Sequence, residues 1–201
     1  MEIGGTDPHE TGDIMINAKR LCASVVAAAL FGSLLVELEP VAANASATTC
    51  SMTSQAPASI TMVVGTKAAG NAASLAGIDS DTLNVNSGLT GSYRDVIWYA
   101  TFTDVPNDIP TLYADVYTWL RDEGDACVLR LHMWNYTLGG YDLIWSEDID
   151  WFGTYAPAEG PAEGHHYVSG TTGPGNARVR IRCYNQTNAF QLQTDYVSLF
   201  Y

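Results

Sequence analysis

Two short runs place aromatic and charged side chains at every second position. These are the residues in the chain with most chemistry to offer. Within 112–120, Tyr113, Tyr117 and Trp119 share a parity with Asp115; within 128–136, Arg130, His132, Trp134 and Tyr136 share another. In an extended chain each set lies on one face. A flat ring packs against the C–H face of a sugar, while carboxylate, guanidinium and imidazole groups bond its hydroxyls, so either face would suit a glycan. The same rings would equally serve as cross-strand pairs that stabilise a sheet, or lie beneath a loop. Both readings stand at this point.

Catalytic chemistry finds less support. The chain has no GxSxG, and His132, His165 and His166 adjoin no motif that would supply a nucleophile or an oxyanion hole. Carboxylates cluster as Asp104 with Asp108, Asp122 with Glu123 and Asp125, and Glu147 with Asp148 and Asp150. Glycoside hydrolysis needs two carboxyls at a set separation across a cleft, which spacing along turns does not define. Solvated turn acids are the simpler reading, and calcium held by such oxygens the sharper one. No CxxC or clustered His/Cys pattern points to zinc.

The elements that must position these residues read as strands. The central stretch, Ala126–Ser146, predicts a strand over Val128–Trp134, a turn over Asn135–Gly140 and a second strand over Tyr141–Trp145. Cys127, Leu129, Leu131 and Met133 would face a core. Leu112, Ala114, Val116 and Leu120 would do the same in the preceding strand, opposite Tyr113 and its companions. Further strands are predicted at Ile60–Val64, Leu83–Asn86, Arg94–Phe102, Ile149–Tyr155, His166–Ser169, Ala177–Tyr184 and Tyr196–Tyr201. The segment Gly65–Asp81 reads as a loop with at most one helical turn. Arg178, Arg180 and Arg182 alternate outward against Val179, Ile181 and Cys183, while Trp145 and Trp151 are expected in the core. About nine or ten short strands with Gly and Pro turns define an all-β, antiparallel β-sandwich.

The N-terminus and the charge set the compartment. Lys19 and Arg20 precede the apolar run LCASVVAAALFGSLL, and small-residue cleavage patterns end at Ala45 and Ala47, the layout of a secretory signal peptide. The expected organisation is 1–47 upstream residues and signal peptide, with Met15 an alternative start to Met1, then 48–59 a flexible lead-in and 60–201 a single sandwich domain. Beyond residue 47 seven basic residues face sixteen acidic ones, a balance of −9, within a whole-chain net charge of −13. Such a surface repels phosphate backbones, so no nucleic-acid partner is expected, and none with the membrane after leader cleavage. In the exported chain Cys127 and Cys183 continue the inward register of their strands and are expected to form a disulfide closing a loop of 57 residues. Cys22 falls in the leader, and Cys50 has no assigned role.

Three segments in order, LHMWNYTLGGYDLIW, YVSGTTGPGNARVRIRC and TDYVSLFY, together with VIWYATFTDVPND, resemble the galactose-binding-like (jelly-roll, carbohydrate-binding-module-like) accessory domains of secreted bacterial proteins. The resemblance spans roughly 60–201 and implies a jelly-roll sandwich, with calcium as a loosely implied structural ion. The resulting expectation is a secreted, extracellular, non-catalytic sandwich binding carbohydrate or another cell-surface partner through Tyr113, Asp115, Tyr117, Trp119, Arg130, His132, Trp134 and Tyr136. A stand-alone structural or adhesive domain, and a glycoside hydrolase with dispersed carboxylates, are the alternatives. The oligomeric state is not encoded in any motif.

Overall fold

A computed structural model of the chain describes residues 52–158, 163–185 and 188–201. The expected leader, its cleavage patterns, Cys22 and Cys50 lie outside the described residues, as does part of the APAEGPAEG segment. Among the described residues twelve strands form two antiparallel sheets, and no helix is long and apolar enough to cross a membrane. The first sheet runs β3 (Thr66–Ala69), β4 (Leu83–Asn86), β12 (Gln191–Phe200), β7 (Tyr113–Leu120) and β10 (Thr154–Ala158), with β1 (Ser54–Gln55) also on β12. The second runs β2 (Ser59–Val64), β6 (Tyr93–Val105), β11 (Gly175–Asn185), β8 (Cys127–Asn135) and β9 (Gly140–Ile149), with β5 (Gly88–Thr90) also on β6. From β6 onward the chain keeps switching sheets, except at the β8–β9 hairpin, and this builds the jelly-roll sandwich.

The core lies where the two inner faces meet. Trp98 and Phe102 from β6, Leu129, Leu131 and Met133 from β8, and Val179 and Ile181 from β11 are buried. Opposite them, Leu83, Val116, Leu120, Leu192 and Leu199 of the first sheet are buried as well. Fully burying one such side chain stabilises the fold by about 1.5–3 kcal/mol. The period of two in β7, β8 and β11 follows directly, because each strand has one face on this core. Cys127 and Cys183 are disulfide-bonded, with Cα atoms 5.7 Å apart. Cys183 pairs in register with Leu129, which makes Cys127 its diagonal neighbour on the same inward face.

The β8–β9 turn is built by Asn135. Its Oδ1 accepts the N–H groups of Thr137 and Leu138, and its amide donates to Asp142 Oδ2 at 2.9 Å. Gly139 has φ +67°, a conformation other residues adopt only with strain.

Several segments depart from the sequence pattern, each for a local reason. Ile149–Tyr155 is not one strand: β9 ends at Ile149, Asp150 Oδ1 caps the Phe152 N–H at 2.8 Å, and β10 begins in the other sheet. Trp151 lies in this crossover, 40% exposed and stacked on Phe152, rather than in the core; Trp145 packs partly buried against it. His166–Ser169 is a 3-10 turn over Gly164–Tyr167 followed by a single bridge from Val168 to Ala177. That turn is fixed from outside, by Gly164 N–H to Pro110 O, Tyr136 N–H to His166 O, and the Tyr167 hydroxyl donating to Asp142 at 2.6 Å. Inside the expected lead-in, Ser54–Gln55 pairs with the end of β12, helped by a Ser54–Ser198 hydroxyl contact at 2.8 Å. Inside the expected Gly65–Asp81 loop lie β3 and one 3-10 turn at Ala73–Leu75.

Candidate functional site

The eight residues singled out by parity divide between two surfaces. The chain turns at 121–126 from β7 in one sheet to β8 in the other. Because each strand turns its apolar side inward, Tyr113, Asp115, Tyr117 and Trp119 point out of one sheet. Arg130, His132 and Trp134 point out of the opposite one, with Tyr136 just beyond them in the turn. They cannot form a single site.

On the β7 face the rings are held by their own neighbours. Trp119 Nε1 donates to Gln193 Oε1 at 2.7 Å, and Tyr117 packs against Trp119 with ring centroids 5.4 Å apart. The Tyr117 hydroxyl lies where a Cβ on Gly153 would sit, so the approach to β10 closes against it. Asp115 is likewise engaged within the fold.

The β8 face carries a larger constellation, most of which comes from other strands. In register, Arg180 lies opposite His132 on β8 and opposite Tyr99 on β6, while Arg182 lies opposite Arg130 and Ile97. Tyr141 of β9 pairs with Trp134. Guanidinium and ring therefore alternate across four strands. Arg180 stands 4.1 Å from the Tyr141 centroid, Arg178 4.6 Å from Tyr99 and 6.0 Å from Trp134, and Arg130 and Arg182 each 4.9 Å from Tyr184. Such cation–π stacking fixes each guanidinium plane. Trp134 meets Tyr141 edge-to-face at 4.9 Å and Tyr136 at 6.4 Å. Asp95 is fully buried on this face and binds Arg182 through both Nε and Nη2, the shortest contact 2.7 Å. The pairing holds the Arg182 pKa above its ordinary value. Burial pulls Arg180 the other way.

His132 is buried amid this row. Burial first, then the charges of Arg180, Arg130 and Arg182, lower its pKa from 6.5 to about 4. The imidazole is neutral at neutral pH. Because its folded pKa is depressed, the unfolded chain takes up the proton first as pH falls. The associated stability is therefore complete above about pH 6.5 and is lost as pH falls toward 4. Urea unfolding of the wild type should show a loss of about 2 kcal/mol from this group between neutral pH and pH ~4.5. His132→Gln should flatten that part of the profile; an unchanged slope in the variant would contradict the assignment.

Tyr136 extends the aromatic row into a cleft of about 520 Å³ lined also by Asn107, Thr137, His165 and Thr171. Both side-chain amide atoms of Asn107 are buried there without a hydrogen-bond partner among the described residues. An adjoining cleft brings Asp104 and Asp108 together with Asn107. Of the other clustered carboxylates, Glu147 and Asp148 lie within β9 rather than in a turn and are exposed, as are Asp122, Glu123 and Asp150, and Asp125 is half-buried. Among the described residues no three His, Cys, Asp or Glu side chains are grouped as a metal site requires, so the implied calcium finds no such cluster here.

Tyr99, Tyr141, Arg178, Arg180, Arg182 and Tyr184 were not among the residues expected to bind. Tyr141 was accessible from the hairpin, since a turn closing Asn135 on Gly140 sets it opposite Trp134. The arginines were seen to alternate outward. Only the placing of β11 between β6 and β8 brings them beside the aromatic set.

The fold and this face define a jelly-roll sandwich with an outer surface of alternating arginines and aromatic rings. Solved structures similar to the chain include a family 4 carbohydrate-binding module, with 14% identity over 69% of this chain and 92% of that one and a TM-score of 0.39. A family 28 module specific for non-crystalline cellulose shares 9% identity over 68% and 79%, TM-score 0.38. A family 11 module from Clostridium thermocellum, solved with a mixed-linked tetrasaccharide, shares 13% over 74% and 86%, TM-score 0.35. All three TM-scores are low, and no ligand follows from them. No protein-family model and no curated protein matches the chain.

Proposed function

We propose that this chain is an exported, non-catalytic β-sandwich that binds carbohydrate on the outer face of the β2–β6–β11–β8–β9 sheet, with Trp134 and Tyr141 as the stacking platform. The observation that supports it is the aromatic row running from Tyr141 through Trp134 to Tyr136 and into a cleft where the Asn107 amide has no partner among the described residues. Rings flanked by hydrogen-bond donors match a sugar's apolar face and its hydroxyl rim. Export agrees with the Cys127–Cys183 bridge, which persists in oxidising compartments. The β7 face is the weaker candidate, because Trp119 and Tyr117 are taken up by Gln193 and the Gly153 segment. A structural or adhesive role without a small-molecule ligand is favoured by one feature, the guanidiniums that already cap Tyr99, Tyr141 and Tyr184.

A glycan array probed with the domain tests the proposal. Binding to at least one polysaccharide, weakened by Asn107→Ala, is expected. A folded protein that retains nothing on the array would overturn it in favour of the structural role.

A further inference from the structure

We infer that the ligand of this face is an anionic glycan, one whose sugars bear carboxylate or sulfate groups; the inference rests on the face being the binding site proposed above. The chain has only nine basic residues against twenty-two acidic ones, and four of the nine, Arg130, Arg178, Arg180 and Arg182, stand on this one surface. Arg182 and Arg130 are directly opposite in register, an arrangement that costs stability unless a counter-charge is supplied. The fold supplies one. Asp95 is committed to Arg182 by a two-pronged contact. The Nε atoms of Arg130, Arg178 and Arg180 are buried and have no hydrogen-bond partner among the described residues, and none of the three forms an ion pair there. The other acid in register on this face is the exposed Asp148, at the far end opposite Val128.

Arg178 also hydrogen-bonds Tyr141 and Arg180 feels the charge of Asp95, but neither has a carboxylate in contact, and their geometry is defined. Arg178 and Arg180 are two residues apart on β11, hence about 7 Å apart along the strand. Their guanidinium planes are held on Tyr99 and Tyr141. A planar guanidinium pairs with the two oxygens of a carboxylate or sulfate better than with isolated hydroxyls. A neutral glycan would leave these charges as they are; an acidic one neutralises them. Long phosphate polymers would bring the same charge, and single-stranded DNA is therefore one arm of the test.

Affinity electrophoresis and calorimetry with polygalacturonate, dextran sulfate, neutral galactan and single-stranded DNA test the inference. Binding to polygalacturonate or dextran sulfate is expected to weaken roughly ten-fold or more as salt rises from about 50 to about 500 mM. The preference between those two probes separates carboxylate from sulfate. Arg180→Gln and Arg178→Gln should each weaken it about ten-fold at an unchanged melting temperature, while Arg180→Lys keeps part of the affinity and guards against misfolding. Galactan binding that ignores salt and both Gln variants would overturn the charge inference and leave the proposed function standing. Tighter binding to DNA than to either acidic polysaccharide would overturn it as well. No polysaccharide binding by the folded protein would overturn both.

Discussion

Replacing Cys127 and Cys183 together by Ala lowers the unfolding free energy by about 4 kcal/mol, the chain-entropy value for a loop of this size. The bridge joins residues 56 apart in sequence, so the oxidised unfolded chain is strongly restricted. Both sulfur atoms lie on the inner face beside Leu129, and the Ala pair also removes buried contacts. Against a total of ~5–15 kcal/mol for a domain, this loss reduces the folded fraction sharply at physiological temperature. Urea unfolding of the wild type with and without reductant, beside the double variant, measures it. A difference under about 1 kcal/mol would show that the bridge constrains little.

The second large effect concerns Asp95. Its carboxylate is fully buried and, among the described residues, is the one acid paired with Arg182, whose side chain is 29% exposed. Removing a buried partner strands the other charge, at about 3 kcal/mol for a pair open to solvent on one side. Asp95→Ala should show that loss, Asp95→Asn somewhat less, and Arg182→Ala in the Asp95→Ala background little more. Strict additivity of Asp95→Ala and Arg182→Ala would mean that the two residues do not act as a pair.

The sandwich was legible because its strands have one face on a core. In β7, β8 and β11 the apolar residues repeat at every second position, and the structure gives each the expected inward face. The strands that escaped notice, β1, β3 and β5, are two to four residues long and mostly exposed, so they carry no burial pattern to read. His166–Ser169 has strand-like residues but is shaped by Pro110, Tyr136 and Asp142, groups distant in sequence. The same limit governs the candidate site. Parity identified Arg130, His132 and Trp134 as outward, yet it gave no means of knowing that β7 turns its aromatic set to the opposite surface. Nor could it show that β11 brings Arg178 and Arg180 alongside Trp134 and Tyr141. His132 shows the cost of that gap, since an outward position on β8 is buried by neighbours from β9 and β11.

The central claim is that one outer face, and not the other, binds glycan. The direct measurement is the affinity of Trp134→Ala and Trp119→Ala for whichever polysaccharide the wild type retains, with melting temperatures recorded alongside. The account predicts that Trp134→Ala loses at least about ten-fold in affinity, as expected for removal of a stacking ring, while Trp119→Ala binds like the wild type. Loss of binding in Trp119→Ala with Trp134→Ala unaffected would contradict it and move the site to the β7 face.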